Sequence, residues 1–307
     1  MIKAGLSAFL TDAPEKNAPE HEAGQQNKTI PKHITKADQD KHVVQSVAFR
    51  DAPNTEFKQA LVPELTYLTE QEAPRWRRNA LALKMNPDKP SIAIVIDDIG
   101  IKKANSRELM QIEGPLTLAL LPYAGELQQQ AQMARRNGHE LLVHMPMQPK
   151  SSKINPGPNA LLTGLADKEL QNRLAKALAA FEGKVGINNH MGSRFTANKR
   201  AMGTLMHELD DRGLLYLDSL TTPDSVGEEM AAHHNVAYTA RDVFLDHVPE
   251  PKTIRNALSE VEQIARKQGH AIAIGHPRDS TIRALKQWMP KAREKGFQFV
   301  PVSAVVQ

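Results

Sequence analysis

The sequence predicts a parallel α/β domain, and two observations lead to that fold class. From residue 91 onward, apolar strand candidates alternate with amphipathic helices along the rest of the 307-residue chain. The run IVIDDIG at 94–100 is rich in β-branched residues, which is typical of a strand buried on both faces of a parallel sheet. About eight strands with a helix after nearly every one form either a closed barrel or a doubly wound sheet.

The predicted elements follow one another in a regular order. Besides 94–100, the strand candidates are residues 116–122, 139–145, 184–190, 214–219, 235–240, 270–276 and 297–302. Helices with an apolar stripe are predicted over 167–182, from Asn198 to Gly213, and from Pro251 to Gly269. Asn198 and Pro251 are typical of helix starts, and the two glycines are typical of helix ends.

Residues 1–90 have a different composition from the rest of the chain. They are polar and interrupted by prolines, as in TDAPEKNAPEHEAGQQNKTI, and they contain almost nothing to bury. We therefore expect a largely disordered or linker-like segment at 1–90 and one folded domain at 91–307.

Overall composition excludes several classes of protein. The net charge of +4, from 39 basic and 35 acidic residues, is too small and too evenly spread for a nucleic-acid-binding protein. No apolar run reaches 18 residues, so no transmembrane segment is predicted, and the opening MIKAGLSAFL is too short for a good signal peptide. The absence of cysteine excludes disulfides, thiolate ligands and a cysteine nucleophile.

Polar side chains stand at the ends of most predicted strands. In chain order these are Asp97 and Asp98, His144, Asn188 with Asn189 and His190, Asp218 with Ser219, and Gly275 with His276. Parallel α/β folds place their sites at the carboxyl ends of the strands, so these side chains should meet on one face. The alternative for the acidic pair is a solvated loop start that caps the next helix.

This set of side chains points to a metal site rather than a nucleotide site. The sequence IDDIGIKKAN after the first strand has acids where a phosphate would need backbone N–H groups. Carboxylate and imidazole ligands suit Zn²⁺ or a similar divalent cation with an open position for water. One acid of the pair could bind the metal while its neighbour takes a proton from the bound water.

Six motifs together resemble the divergent polysaccharide deacetylase family, also called the YibQ-like or polysaccharide deacetylase 2 group. They are IVIDDIG, GHELLVHMPMQP, GINNHMGSRFT, LYLDSLTTPDS, RDVFLD and IAIGHP, and the resemblance covers 91 to about 303. It implies an irregular barrel of seven or eight parallel strands, of the polysaccharide deacetylase (NodB-like) type. It also implies metal-dependent removal of acetyl groups from cell-wall sugars.

The resemblance also implies roles for single residues. Asp97 would be the catalytic base, Asp98 and His144 metal ligands, and His276 the general acid. Substrate-binding or supporting roles would fall on Asn188, Asn189, Asp218, Arg241, Asp246 and Arg278. Of these, the two asparagines also fit ordinary turn chemistry, and the two aspartates are expected to orient His276 or Arg241.

Two positions depart from the family pattern. Gln148 stands where ordinary deacetylases have a second metal-binding histidine, so either His190 replaces that ligand or the metal is weak or absent. Arg278 stands where the divergent group often has histidine, and a guanidinium is neither a metal ligand nor a base. It could still bind an anionic group of a substrate.

Three functional hypotheses follow. The first is a metal-dependent hydrolase of acetylated cell-envelope polysaccharide or peptidoglycan-like glycan, with metal-bound water attacking the acetyl carbonyl in a periplasmic or other extracytoplasmic location. The second is a catalytically reduced barrel that binds glycan or an envelope protein. The third, glycosidic cleavage by the paired acids, is weaker, because adjacent residues of a strand point in divergent directions.

Overall fold

The computed structural model describes residues 73–306, which form a parallel sheet flanked by helices. The strands are β1 (Ser91–Ile99), β2 (Thr117–Leu120), β3 (Glu140–Met147), β4 (Gly186–Met191), β5 (Leu215–Asp218), β6 (Tyr238–Ala240), β7 (Val243–Phe244), β8 (His270–Gly275) and β9 (Gln298–Phe299). The helices are α1 (Arg75–Asn79), α2 (Lys103–Leu109), α3 (Leu127–Arg136), α4 (Asp167–Leu178), α5 (Lys199–Asp211), α6 (Gly227–His233), α7 (Pro251–Gln268) and α8 (Asp279–Glu294). A short 3₁₀ helix, Val302–Ala304, follows β9.

The sheet curls into an incomplete barrel. Its strand order is β6-β5-β4-β3-β2-β1-β8-β7, with β9 beside the start of β1, and the pairings are parallel. The outermost strands β6 and β7 are joined by Arg241 and Asp242 alone. The Arg241 N–H donates to Asp218 O on β5, and the Asp242 N–H donates to Ile272 O on β8. This dipeptide therefore brings the two ends of the sheet together, and the predicted irregular barrel is confirmed.

Strand β1 shows why its sequence is continuously apolar. Its side chains alternate between two core clusters, as the period of a strand requires. Ile92, Ile94 and Ile96 pack in the large cluster that includes the helices, whereas Ala93 and Val95 belong to a smaller cluster. All five are fully buried. A strand with two buried faces has no position for a polar residue until it ends.

Two segments from the ends of the domain pack on the smaller cluster. Val302 belongs to it, and the half-buried Trp76 of α1 packs against it. The fully buried Glu140, at the start of β3, accepts hydrogen bonds from Ser303 and from Thr117. Burial raises the pKa of the Glu140 carboxyl, and these donors replace the water that it lost.

The observed elements match most of the sequence predictions, and strand β7 and helix α1 are additional to them. The eight predicted strands are present, and Asn198 caps α5 by accepting from the Ala201 N–H at 2.9 Å. Strand β7 was not predicted, because two residues carry no periodic signal. Residues 1–72 lie outside the described residues, so the disordered segment predicted at 1–90 stays a prediction for them.

Helix α1 lies within that polar segment and contacts the domain. The Trp76 N–H donates to Gly213 O at 2.8 Å, and Asn79 Nδ2 donates to Lys184 O at 2.7 Å. Gly213 has φ +57°, and a Cβ there would lie 2.8 Å from the Arg75 nitrogen, so only glycine permits this approach. The described part of the domain therefore begins before residue 91.

No helix within residues 73–306 combines the length and the apolar character that crossing a membrane requires.

We expect Trp76→Ala to lower the free energy of unfolding by about 2 kcal/mol, because it removes roughly half of the area of a tryptophan side chain from the core. Urea denaturation of the full-length chain measures this. Arg78→Ala is the matched control, since this exposed side chain lies on the same helix. Equal stability of the two variants would show that α1 is only loosely associated with the domain.

Candidate active site

A backbone irregularity at the end of β1 brings two adjacent carboxylates to the same place. Asp98 has φ +55°, in the left-handed region, and the pairing of β1 with β2 changes register between Ile96 and Ile99. Asp97 Oδ2 and Asp98 Oδ1 consequently lie 3.7 and 3.4 Å from the same atom, His144 Nε2. The expectation that these side chains diverge was therefore wrong. Two acids facing one imidazole do not flank a scissile bond as those of a glycosidase do.

Asp98, His144 and His190 form a compact group of possible metal ligands. Asp98 Oδ1 lies 3.4 Å from His144 Nε2 and 3.1 Å from His190 Nδ1, and the two ring nitrogens are 3.1 Å apart. Zinc donors lie about 2.1 Å from the ion, so two of them at a tetrahedral angle are about 3.4 Å apart. The triangle of donor atoms therefore fits one small divalent cation.

One buried atom of this group lacks a hydrogen bond. Asp98 Oδ1 is inaccessible to solvent and receives no hydrogen bond of acceptable geometry, although two ring nitrogens stand close to it. A buried carboxylate oxygen without a donor is costly, and a cation is one way to satisfy it. Burial would raise the pKa of Asp98, but the imidazoles of His144 and His190 outweigh it and hold that pKa well below its usual range.

Sheet register explains how the two histidines meet. His144 on β3 pairs with Asn188 on β4, and Pro146 pairs with His190. Side chains two residues apart on a strand share a face, so Asn188 and His190 both stand beside His144. The sequence alternative in which His190 provides the ligand that Gln148 cannot provide is the one that the geometry favours.

Asn188 links the second carboxylate to the first histidine. Its Nδ2 donates to Asp97 Oδ1 at 2.7 Å, and its Oδ1 lies 2.8 Å from His144 Nδ1. Because a carboxylate only accepts, Asp97 fixes the orientation of the amide, and the amide oxygen then requires a proton on Nδ1. His144 Nε2 is thereby left facing Asp98 and His190, which is the orientation of a metal ligand.

Asp97 is the more buried of the two acids. Its side chain is 6% exposed, against 34% for Asp98. Burial raises the pKa of Asp97 even though His144, His276 and the Asn188 hydrogen bond oppose that rise. Burial alone would lower the pKa of His144, but Asp97 and Asp98 raise it. The two acids thus favour positive charge at the His144 nitrogen, whether from a proton or from a metal ion.

His276 approaches the acidic pair from β8. His276 Nε2 lies 3.9 Å from Asp98 Oδ2, and its Nδ1 is 2.9 Å from the fully buried Asp246 Oδ1. The other oxygen, Asp246 Oδ2, accepts from the His276 N–H at 2.8 Å and from Thr281 Oγ1 at 2.7 Å. Burial alone would lower the pKa of His276, but Asp246, Asp97 and Asp98 together raise that pKa above its usual value. Asp246 therefore orients His276, as expected from the sequence.

The remaining predicted residues mostly support loops. Asn189 donates to Met191 O and accepts from Tyr216 and the Ser219 N–H, so its side-chain oxygen and one of its two N–H groups are engaged. Both oxygens of Asp218 are engaged by Leu220 and Ser225, and Asp218 contacts Arg241 only through its backbone oxygen. Asp218 therefore braces the loop after β5 and does not reach His276.

Three polar side chains are directed by nearby carbonyl and hydroxyl groups. Arg241 donates to Ser219 O at 3.0 Å and to Leu220 O at 3.2 Å. Arg278 donates to Asp246 O at 2.6 Å, so its guanidinium supports the His276 partner instead of being wholly available for an anionic substrate. Gln148 accepts from the Thr163 N–H and Oγ1, which occupies its side-chain oxygen.

The site contains a cleft of about 320 Å³, a size suited to a small ligand or a sugar residue. It is lined by Asp97, Asp98, His144, Asn189, His190, Met191, Ser219, Thr221, Arg241, Phe244, Ile274 and His276. The sequence did not identify Met191, Thr221, Phe244 or Ile274 as lining residues. All four stand in the motifs GINNHMGSRFT, LYLDSLTTPDS, RDVFLD and IAIGHP, but their residue types carry no chemistry that would single them out.

Comparison with known proteins agrees with the sequence motifs. The family described as divergent polysaccharide deacetylase matches residues 94–306. The uncharacterized protein YibQ of Escherichia coli K12 is 35% identical over 196 residues, which are 64% of this chain and 61% of YibQ. An uncharacterized protein of Haemophilus influenzae is 36% identical over 196 residues, or 64% of this chain and 69% of its own.

A solved structure extends this comparison to the fold. An uncharacterized protein of Agrobacterium tumefaciens C58 is 29% identical and superposes with a TM-score of 0.75. The match covers 78% of this chain and 98% of that protein. The incomplete parallel barrel is therefore shared with a related protein.

We expect the chain to bind one equivalent of Zn²⁺ at the three ligands, and His190→Asn to weaken binding at least 10-fold, because loss even of a supporting residue typically costs 10 to 100-fold. Competition with a chromophoric chelator measures the affinity. His207→Asn is the matched control, since His207 is 57% exposed and lies on α5. Zinc bound elsewhere on the chain contributes equally to both variants, so the difference between their affinities reports on His190. Equal affinity in the two variants would rule out His190 as a ligand.

Proposed function

The chain belongs to the divergent polysaccharide deacetylase family, and on that premise we propose that it is a metal-dependent hydrolase that removes acetyl groups from cell-envelope carbohydrate. The observation that carries the proposal is one cleft in which three side chains able to bind a metal converge beside a second buried carboxylate and a carboxylate-bound histidine. Each of these groups has a distinct role in acyl transfer to water. The chain matches only 61% of the length of YibQ, so the proposal is made for this chain and not for YibQ as a whole.

Asp98, His144 and His190 would hold the ion, and their oxygen and nitrogen donors suit Zn²⁺. When bound, such an ion acts as a Lewis acid that polarises the acetyl carbonyl and makes water easier to ionise. The chain keeps the three donors in place through paired strands β3 and β4 and through the Asn188 amide.

Asp97 is the group best placed to accept a proton from water in the cleft. Asn188 holds Asp97 Oδ1, so Oδ2 is the oxygen that faces the ligand cluster, 3.7 Å from His144 Nε2. A general base needs an acceptor within reach of the attacking water, and this oxygen lines the cleft. The adjacent position of Asp97 and Asp98 thus gives one carboxylate to the ion and leaves the other for the proton.

His276 is the group best placed to return a proton to the leaving amine or hydroxyl. Asp246 accepts a hydrogen bond from the protonated Nδ1 of His276, so Nε2 is directed at the cleft on the side of Asp98. The carboxylate also favours the protonated imidazole, which is the form that a general acid requires. The acid therefore directly follows β8, whereas the base lies on the neighbouring strand β1.

The cleft offers separate surfaces for the acetyl group and for the sugar. Met191, Phe244 and Ile274 supply apolar surface that suits an acetyl methyl group. The Ser219 and Thr221 hydroxyls and the Arg241 guanidinium are polar groups of the kind that hydrogen-bond sugar hydroxyls. An acetylated sugar would combine both kinds of contact. The proposal implies an extracytoplasmic location, where envelope carbohydrate lies, and cell fractionation tests it.

We expect Asp97→Asn to keep bound metal and to lower acetate release by about 10² to 10⁴, because an amide nearly preserves the shape of the carboxylate but cannot accept the proton. Enzymatic detection of acetate from a panel of acetylated glycans, together with elemental analysis, measures both properties. Asp98→Asn should instead lose metal.

A wild-type chain with stoichiometric metal that releases no acetate from any glycan would contradict the hydrolase. That result would favour the alternative of a catalytically reduced barrel that binds glycan or an envelope protein.

We expect Asp246→Asn to lower kcat by about 10² or more without loss of metal, because His276 loses the carboxylate that orients and charges it. Thr281→Val is the matched control: it removes a different hydrogen bond to Asp246 and leaves the link to His276 intact. A readout that separates positioning from folding is the split between kcat and KM, since only kcat should fall. Equal kcat in the two variants would exclude the positioning role.

A further inference from the structure

The exposed apolar side chains of the domain are concentrated at one end of it. Among residues 73–306, the exposed large apolar side chains are Leu83, Met85, Ile101, Tyr123, Met133, Ile154, Leu220 and Val248. Five of these eight follow a strand directly in the chain: Ile101 follows β1, Tyr123 β2, Ile154 β3, Leu220 β5 and Val248 β7. We call these five residues the rim.

The rim lies at the end of the barrel that holds the site. All strands of the barrel run parallel, so the loops that follow them emerge at the same end as Asp97, His144 and His276. Single exposed apolar residues scattered over a surface are ordinary. Here, however, five separate loops that emerge at the end holding the polar cleft each contribute one. Leu83 and Met85 precede β1 and therefore lie towards the opposite end.

The conformation of one rim residue indicates that its exposure is imposed. Leu220 has φ +45°, a region that branched side chains rarely adopt. Two contacts hold it there, since its N–H donates to Asp218 Oδ1 at 2.8 Å and its carbonyl accepts from Arg241 at 3.2 Å. The loop thus holds in a strained conformation a leucine that remains 36% exposed.

The charged residues of the same loops leave a positive balance. Exposed Lys102 and Lys153 adjoin Ile101 and Ile154 and make no ion pair with any residue that the structure describes. Of the acids in these loops, Glu126 is paired with Lys103 at 2.8 Å, and Asp224 with Lys150 at 2.6 Å.

Two further exposed residues complete the balance. Arg194, in the loop after β4, is an additional exposed cation, and Glu250, in the loop after β7, is an exposed acid that makes no ion pair with any residue that the structure describes. The rim is thus apolar with a surplus of cations beside it.

We propose that the rim docks on the surface of an anionic lipid bilayer. Exposed apolar side chains enter the boundary between headgroups and acyl chains, and neighbouring lysines attract anionic headgroups. Because the rim loops emerge at the same end of the barrel as the cleft, docking would direct the site at the membrane surface. Together with the proposed deacetylation, on which this last step rests, it identifies the substrate class as acetylated sugars carried on membrane lipids.

Vesicle cosedimentation of the full-length chain tests the docking and contains no sugar, so its result is independent of whether the chain is a deacetylase. We expect binding to phosphatidylcholine vesicles with 30 mol% phosphatidylglycerol, and much weaker binding to phosphatidylcholine alone. Ile101→Ser/Ile154→Ser should lower the affinity about 10-fold or more, because two apolar side chains no longer enter the interface. Leu83→Ser/Met85→Ser is the matched control, with two comparable exposed residues at the other end, and should bind as the wild type does.

Three results would overturn the proposal. One is equal binding to vesicles with and without phosphatidylglycerol. Another is an equal loss of affinity in the two double variants, which would locate the contact outside the rim. The third is that the wild-type chain stays in solution as a dimer and that Ile101→Ser/Ile154→Ser dissociates this dimer. That result would make the rim an interface between copies of the chain.

Discussion

The site depends on one constraint, which is the mutual repulsion of the Asp98 oxygen and the ring nitrogens of His144 and His190 at the carboxyl ends of β1, β3 and β4. A carboxylate oxygen and two imidazole nitrogens lie within 3.1 to 3.4 Å of one another, and a second carboxylate stands behind them. Such an arrangement is stable only with positive charge among the donors. The surrounding structure is what prevents the donors from moving apart: β3 and β4 are paired through six residues, and the left-handed turn at Asp98 has no room to relax beside a buried β1.

Two chains of hydrogen bonds extend this order outward from the cluster. One runs from Asp97 through Asn188 to His144 and fixes which ring nitrogen faces the cluster. The other runs from His276 to Asp246, which is itself held by Thr281 at the start of α8. Asn188 holds Asp97 Oδ1 and Asp246 holds His276 Nδ1, which leaves Asp97 Oδ2 and His276 Nε2 facing the cleft. Asp97, His144 and His276 are therefore oriented by the fold itself, as the proposed acid and base roles require.

Much of this arrangement could be predicted from the sequence, and the exceptions share one physical origin. The strands were recognisable because β-branched runs with two buried faces leave a strong local signal, and the rule that parallel strands share a carboxyl end grouped Asp97, His144, His190 and His276. The convergence of Asp97 and Asp98 was not predictable, because it depends on a bulge that reverses the alternation of a regular strand. The engagement of Asn189, Asp218 and Arg278 in loop contacts was also hidden. A polar residue near a site gives the same sequence signal whether its hydrogen bonds go to a ligand or to a neighbouring loop.

The link between β6 and β7 has a mechanical consequence. In a barrel closed by a ladder of backbone hydrogen bonds, any widening must break several bonds together. In the described part of this chain, the two ends of the sheet are instead joined by Arg241 and Asp242, so the torsion angles of these two residues help to set the width of the barrel there. Arg241 of that link and Phe244, two residues after it, line the cleft. A change in the torsion angles of this dipeptide would alter the width of the opening beside the cleft while strands β1 to β4 remain paired.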